Sequence, residues 1–74
     1  MTIKDSAELG TIIRKHRKQA GLTQKKMASL AGVGARFLSE LERGKPTVQL
    51  GKTLKVIQLL GLELTLRDRK ANAS

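Results

Sequence analysis

The sequence predicts a mainly α fold: four helices in one small domain, followed by a single C-terminal β-strand that pairs across a homodimer. Three observations predict it. Apolar residues recur at helical spacing in four successive segments, each closed by a glycine. Between Leu22 and Gly44, two of those segments flank a tight Gly32-Val33-Gly34 turn, with the small Ala28 four residues before Gly32; this is the build of a helix-turn-helix. From Leu62 to Arg67 the period switches to alternating apolar and polar residues, a strand pattern.

The first helix runs from about Ala7 to Ala20. Ser6 reads as its N-cap, Glu8 suits the positive end of its dipole, and Leu9, Ile13, His16, Arg17 and Ala20 follow at helical spacing. Gly10 weakens it slightly, and Gly21 closes it in the left-handed conformation. Thr23 caps the second helix, about Gln24 to Ala31, with Met27, Leu30 and Ala31 inward and Lys25, Lys26 and Ser29 outward. Gly32 ends it, and Val33 is the buried residue of the turn. The third helix covers Ala35 to about Arg43, with Phe37, Leu38 and Leu41 as its apolar side and Gly44 as its stop.

A Lys45-Pro46-Thr47 loop, with Thr47 or a neighbour as cap, leads into the fourth helix, about Gln49 to Leu60. Leu50, Leu54, Ile57 and Leu60 form its inner stripe, with Val56 beside them. Gly51 is either a close-packing point or a delay in the helix start, and Gly61 closes the helix.

One strand cannot stand alone, because its backbone N–H and C=O groups need partners. No second strand candidate exists in the sequence, so the simplest solution is the same strand from another copy, antiparallel about a twofold axis. The expected organisation is an N-terminal arm (1–6), a DNA-binding domain (7–61), a dimerisation strand (62–67) carrying Leu62, Leu64 and Leu66, and a frayed polar tail (68–74).

Composition narrows the function. A 74-residue domain buries only about 60% of its unfolded surface, so it leans on good helix packing or self-association. Without Cys it has neither disulfides nor thiolate zinc sites, and one His builds no metal cage. Phe37 is the sole aromatic residue, so the core is aliphatic and single strands are not recognised by base stacking. Fifteen Lys and Arg against six Asp and Glu give a formal charge of +9, which attracts polyanions. Nucleic acid is the commonest such partner and an anionic membrane surface the rival. No segment is long or apolar enough to span a bilayer, and the N-terminus lacks an apolar secretion core, so a cytoplasmic, nucleoid-associated protein without a membrane partner is expected. Neither a nucleophile–base set nor a paired-carboxylate cleft is visible, so neither an enzyme nor a cofactor is expected.

A helix-turn-helix on a basic protein places its second helix in the DNA major groove. The outward positions near the start of that helix are Gly34, Ala35, Arg36, Ser39 and Glu40. Arg36 can donate two hydrogen bonds to guanine O6 and N7, a pairing that discriminates by about 1–3 kcal/mol. Ala35 offers a methyl group suited to thymine, and Glu40 can accept from a cytosine amino group or repel wrong placements. So lean a reading surface leaves part of the specificity to DNA shape. Phosphate contacts are expected from Gln24 at the start of the second helix, from Lys25 and Lys26 beside it, from Gly34, and from Arg43 and Lys45 past the third helix. Taken singly, Lys25, Lys26 and Lys52 suit solvated charges equally well. Phe37 suits the core better than the DNA backbone, and His16 suits packing better than catalysis.

The pattern Ile13-Arg14 … Arg17 … Gly21-Leu22-Thr23-Gln24 … Met27-Ala28 … Ala31-Gly32-Val33 … Leu38-Ser39 … Leu41-Glu42-Arg43-Gly44 resembles the phage-repressor (XRE or Cro/C1) helix-turn-helix family over about Leu9 to Leu60. That resemblance implies that Gln24 touches a phosphate and orients the third helix, that Ala35, Arg36 and Glu40 face base edges, and that Arg17 and Glu42 form a buried ion pair. Gly34 departs from the family, which usually has a Ser or Thr cap there. The run Gly44-Lys45-Pro46-Thr47 … Gly51-Lys52 … Leu54 … Val56-Ile57 … Leu60-Gly61-Leu62-Glu63-Leu64 leads into a strand where phage repressors continue with a fifth helix, and this looks like the HipB-like antitoxins. The resemblance implies a homodimer joined by its strands, autorepression at double-stranded operator DNA, and a HipA-like serine/threonine kinase toxin as partner. The alternative is a phage-type or restriction-modification control regulator without a toxin.

Overall fold

The computed structural model describes residues 2–69, and within them lie four helices: α1 (Ser6–Gln19), α2 (Gln24–Ala31), α3 (Ala35–Glu42) and α4 (Leu50–Leu59). α3 packs on both α1 and α2, and α4 packs on α2. The centre is aliphatic. Ile13, Met27, Leu38 and Val56 are fully inaccessible, with Ala28, Leu41 and Ile57 nearly so. Leu9, Leu22, Val33, Phe37, Leu54 and Leu60 are among the partly buried side chains that close around them.

All four helices end the same way. A glycine with positive φ follows each one (Gly21, Gly32, Gly44 and Gly61), and the residue after it donates its N–H five residues back, as Val33 does to the Ala28 carbonyl at 2.9 Å. The left-handed turn suits glycine because a side chain there meets the following carbonyl. The residue after the glycine is apolar and packs on the core in three cases (Leu22, Val33 and Leu62); after α3 it is the exposed Lys45.

Several local expectations change. Asp5, not Ser6, caps α1: its carboxylate accepts from the Glu8 N–H, while the Ser6 hydroxyl donates to the Gly44 carbonyl at 2.8 Å. The N-cap of α4 is Gln49 rather than Thr47, and it makes no side-chain capping bond. Leu30 and Leu50, expected inward, are 53% and 66% exposed. Both sit at the edge of their apolar stripe, where no neighbouring element covers them. Gly51 is not a packing point, since a Cβ there would meet nothing within 4 Å. Gly10 is one instead: a Cβ there would lie 2.5 Å from the Leu41 carbonyl oxygen and 2.7 Å from that of Glu42. It is the notch that lets α1 press directly on the backbone of α3.

Past α4, residues 62–68 form neither helix nor strand in the single chain. Leu62 is half-buried, whereas Leu64 is 51% and Leu66 90% exposed. The alternating residues 62–67 have no neighbouring strand among the described residues and so no ladder to join, which is the physical reason they form none there. Of the expected tail, residues 70–74 lie outside the described residues.

Candidate nucleic-acid interface

α3 has two sides, set by its 3.6-residue period. Leu38, Leu41 and Glu42 are buried against α1 and α2, while Ala35 and Arg36 are exposed and Ser39 and Glu40 half-buried on the opposite side. The Arg36 side chain is 91% exposed. The four side chains expected to read bases therefore share one face, spaced i, i+1, i+4 and i+5. Gly34 precedes them in extended conformation and gives no side-chain cap, so the first N–H groups of α3 stay unpaired by any capping side chain.

The mount for this helix is ionic. Arg17 and Glu42, each 8% exposed, meet side by side: Nε to Oε2 at 2.7 Å and Nη2 to Oε1 at 3.1 Å. Arg17 Nη1 also donates to the Leu22 carbonyl at 2.8 Å, and Gln24 Nε2 donates to Glu42 Oε1 at 3.1 Å. α1, the α1–α2 turn, the start of α2 and the end of α3 are thus tied by one set of charge-assisted hydrogen bonds. No buried side-chain polar atom among the described residues lacks a partner. Such a pair adds little net stability over an apolar one, but it fixes geometry in two directions at once.

Gln24 accordingly spends its amide on Glu42, a tie that the sequence reading did not foresee. It brings the start of α2 beside the end of α3. Lys25 and Lys26, both exposed, directly follow Gln24, and the exposed Arg43 directly follows Glu42. At the start of α2 the Thr23 hydroxyl accepts from the Lys26 N–H, and the N–H groups before it remain open.

Glu40 is the acidic residue on the presented face, and it has two cations. Lys45 Nζ lies 3.0 Å from its Oε2, and Arg36 Nε lies 3.9 Å from the same oxygen. The Lys45 hydrogen bond holds the Glu40 carboxyl below the usual carboxylate range, aided by the charges of Lys45, Arg36 and Arg43 and opposed by partial burial. Lys45, expected at a phosphate, is in this structure the partner of Glu40. Lys52 of α4 sits 5.7 Å from the centre of the Phe37 ring, a cation–π distance. A shallow cleft of about 290 Å³ separates α3 from the α3–α4 loop, edged by Arg36, Lys45 and Lys52.

The described residues hold no cluster of His, Cys, Asp or Glu able to ligate a metal, and none of their helices is long and apolar enough to cross a membrane. Sequence reasoning missed the partners of Gln24, Lys45 and Lys52. Only for Lys45 was a signal present, five residues past Glu40 and just after a helix-ending glycine.

Residues 8–69 match the protein family described as a helix-turn-helix domain. A protein of Sinorhizobium fredii (strain NBRC 101917 / NGR234), named an uncharacterized HTH-type transcriptional regulator, is 47% identical over 64 residues, 86% of this chain and 84% of its own length. Another so named, from Methanothermobacter thermautotrophicus, is 38% identical over 53 residues, 72% of this chain and 77% of its own. Among solved structures, a chain of a HipB–O4 20mer complex superposes with a TM-score of 0.83 at 28% identity, covering 92% of this chain and 96% of that one. A chain of a HipA–HipB–O2–O3 complex matches with the same figures.

Proposed function

The chain belongs to the helix-turn-helix domain family, and from that membership we propose that it is a dimeric, sequence-specific transcriptional repressor that also serves as the antitoxin of a HipA-like serine/threonine kinase. One observation carries the reading: α3 is locked by Glu42 at its buried end and shows Ala35 and Arg36 to solvent at the other. The likeness to HipB across 92% of the chain supports the antitoxin half.

In this reading α3 enters the major groove. Arg36 donates to guanine O6 and N7, Ala35 meets a thymine methyl, and Ser39 and Glu40 complete the base-reading face. Lys25, Lys26, Arg43, the Gly34 amide and the second amide N–H of Gln24, the one not given to Glu42, hold phosphates and set register without reading sequence. Leu62, Leu64 and Leu66 pair with the same segment of a second copy, which supplies the ladder that residues 62–68 lack alone. Twofold symmetry then sets two recognition helices about 34–36 Å apart on an inverted repeat. Kinase capture raises operator affinity if one kinase complex links two dimers, by effective concentration. The protein works on the nucleoid, in the cytoplasm.

Selection of duplexes from a randomised pool, followed by footprinting, tests the core of this reading. An inverted repeat is expected, with log affinity falling against log salt at about −0.9 per neutralised phosphate. A pool that converges on no sequence sinks the repressor reading. Sedimentation of Leu64→Asp tests the dimer: a monomer is expected, and an undisturbed dimer refutes the shared strand. The relatives are named only as transcriptional regulators, which is equally compatible with a second reading, a phage-type or restriction-modification control regulator without a toxin. Operator titration with and without a HipA-like kinase separates the two, since the antitoxin reading requires the kinase to change the affinity.

A further inference from the structure

We infer that Lys45 is a positioning residue of the reading face: it holds the Glu40 carboxylate away from Arg36 and so leaves the guanidinium free to donate to a base. The inference rests on the DNA-reading role proposed for α3.

Both cations address one oxygen, Glu40 Oε2, but unequally. Lys45 Nζ is at 3.0 Å, a hydrogen bond, and Arg36 Nε is at 3.9 Å, beyond hydrogen-bond reach. Lys45 is also fixed by its backbone, whose N–H donates to the Glu40 carbonyl at 3.1 Å. That bond belongs to the helix ending that Gly44 makes possible. In this ending the residue after the glycine commonly makes an apolar contact back onto the last turn. Leu22, Val33 and Leu62 hold the equivalent position after the other three helices, and all three pack on the core. After α3 an ion pair takes the place of the apolar contact, and it lies next to the residue that would read the base.

The competition has a direction. Glu40 is a carboxylate at neutral pH with or without Lys45, whose bond only lowers its titration further. Without Lys45 its nearest cation is Arg36, four residues earlier on the same helix, and a guanidinium fork fits a carboxylate with two parallel bonds. Donors spent on that carboxylate are not available to guanine O6 and N7. Lys45 thus acts on base choice through Glu40 and touches no base itself.

The test uses a duplex selected from a randomised pool by the unmodified protein and a shuffled duplex of equal length. Discrimination is the affinity ratio between them. Lys45→Gln is expected to lower discrimination by about tenfold, within the range of one lost bidentate base contact. Lys45→Arg retains it. In a Glu40→Gln background the same Lys45→Gln change is expected to cost less than about twofold, the usual scatter of independent sites. If Lys45→Gln weakens both duplexes by one common factor, Lys45 is a plain phosphate contact and the inference falls. It falls equally if the loss persists undiminished in the Glu40→Gln background. Arg36→Ala serves as the reference: unchanged discrimination there overturns the reading role of α3 itself, whereas a loss there with none in Lys45→Gln overturns only the role of Lys45.

Discussion

At its C-terminal end α3 is held by Glu42, whose carboxylate takes three hydrogen bonds from Arg17 and Gln24, whereas at its N-terminal end Gly34 offers no capping side chain and Arg36 stands in solvent. The first end spends its charge inward. Both of its oxygens accept from groups on α1 and α2, and Gly10 lets the backbones touch. The second end keeps its donors unspent. A helix that reads a groove needs both properties, since donors must be aimed by something rigid and yet be unpaired before the ligand arrives. Here one helix of eight residues carries both.

Removing one partner at the mounted end should do the most damage. Glu42→Ala strands the Arg17 guanidinium in the interior and is expected to cost about 3–5 kcal/mol, read from the urea midpoint. Arg17→Met with Glu42→Leu together should recover most of that loss, because two apolar groups leave no buried charge. If Glu42→Ala leaves the midpoint unmoved, the pair is not the mount.

Gly10→Ala sharpens the same point without touching charge. The new methyl would meet the Leu41 and Glu42 carbonyls, so α1 and α3 must move apart, at about 1–3 kcal/mol by calorimetry. A neutral result would mean that the helices slide apart freely.

At the open end the expected effects leave folding alone. Arg36→Ala should change unfolding by less than about 0.5 kcal/mol while removing about 1–3 kcal/mol of discrimination at one position of each half-site. Equal losses on selected and random duplexes would contradict base reading. Smallest of all is Gly34→Ser. The backbone there has an ordinary φ of −74° and open space around it, so a hydroxyl cap fits. A gain of a few tenths of a kcal/mol is expected by thermal denaturation, and a loss would show that the bare N-terminus is under another constraint.

The sequence by itself determined the four helices and their glycine stops, though not the caps of α1 and α4. Apolar spacing, Thr23 and the closing glycines act within one turn of chain, so neighbours along the sequence suffice to set them. It also determined which side of α3 is buried, because Leu38 and Leu41 leave no other choice. Tertiary structure decided the rest. Leu30 and Leu50 are as apolar as Leu38 but lie where no element covers them. Gly10 looks like a weak point in α1 until α3 is laid across it. Whether Gln24 keeps its amide for a ligand or gives it to Glu42, eighteen residues on, depends on how two helices cross. The alternation from Leu62 to Arg67 is plain in the sequence, yet among the described residues of one copy no strand pairs with it. Local periodicity sets which face of an element is apolar; only packing between distant segments sets what that face, or a polar group on it, finally meets.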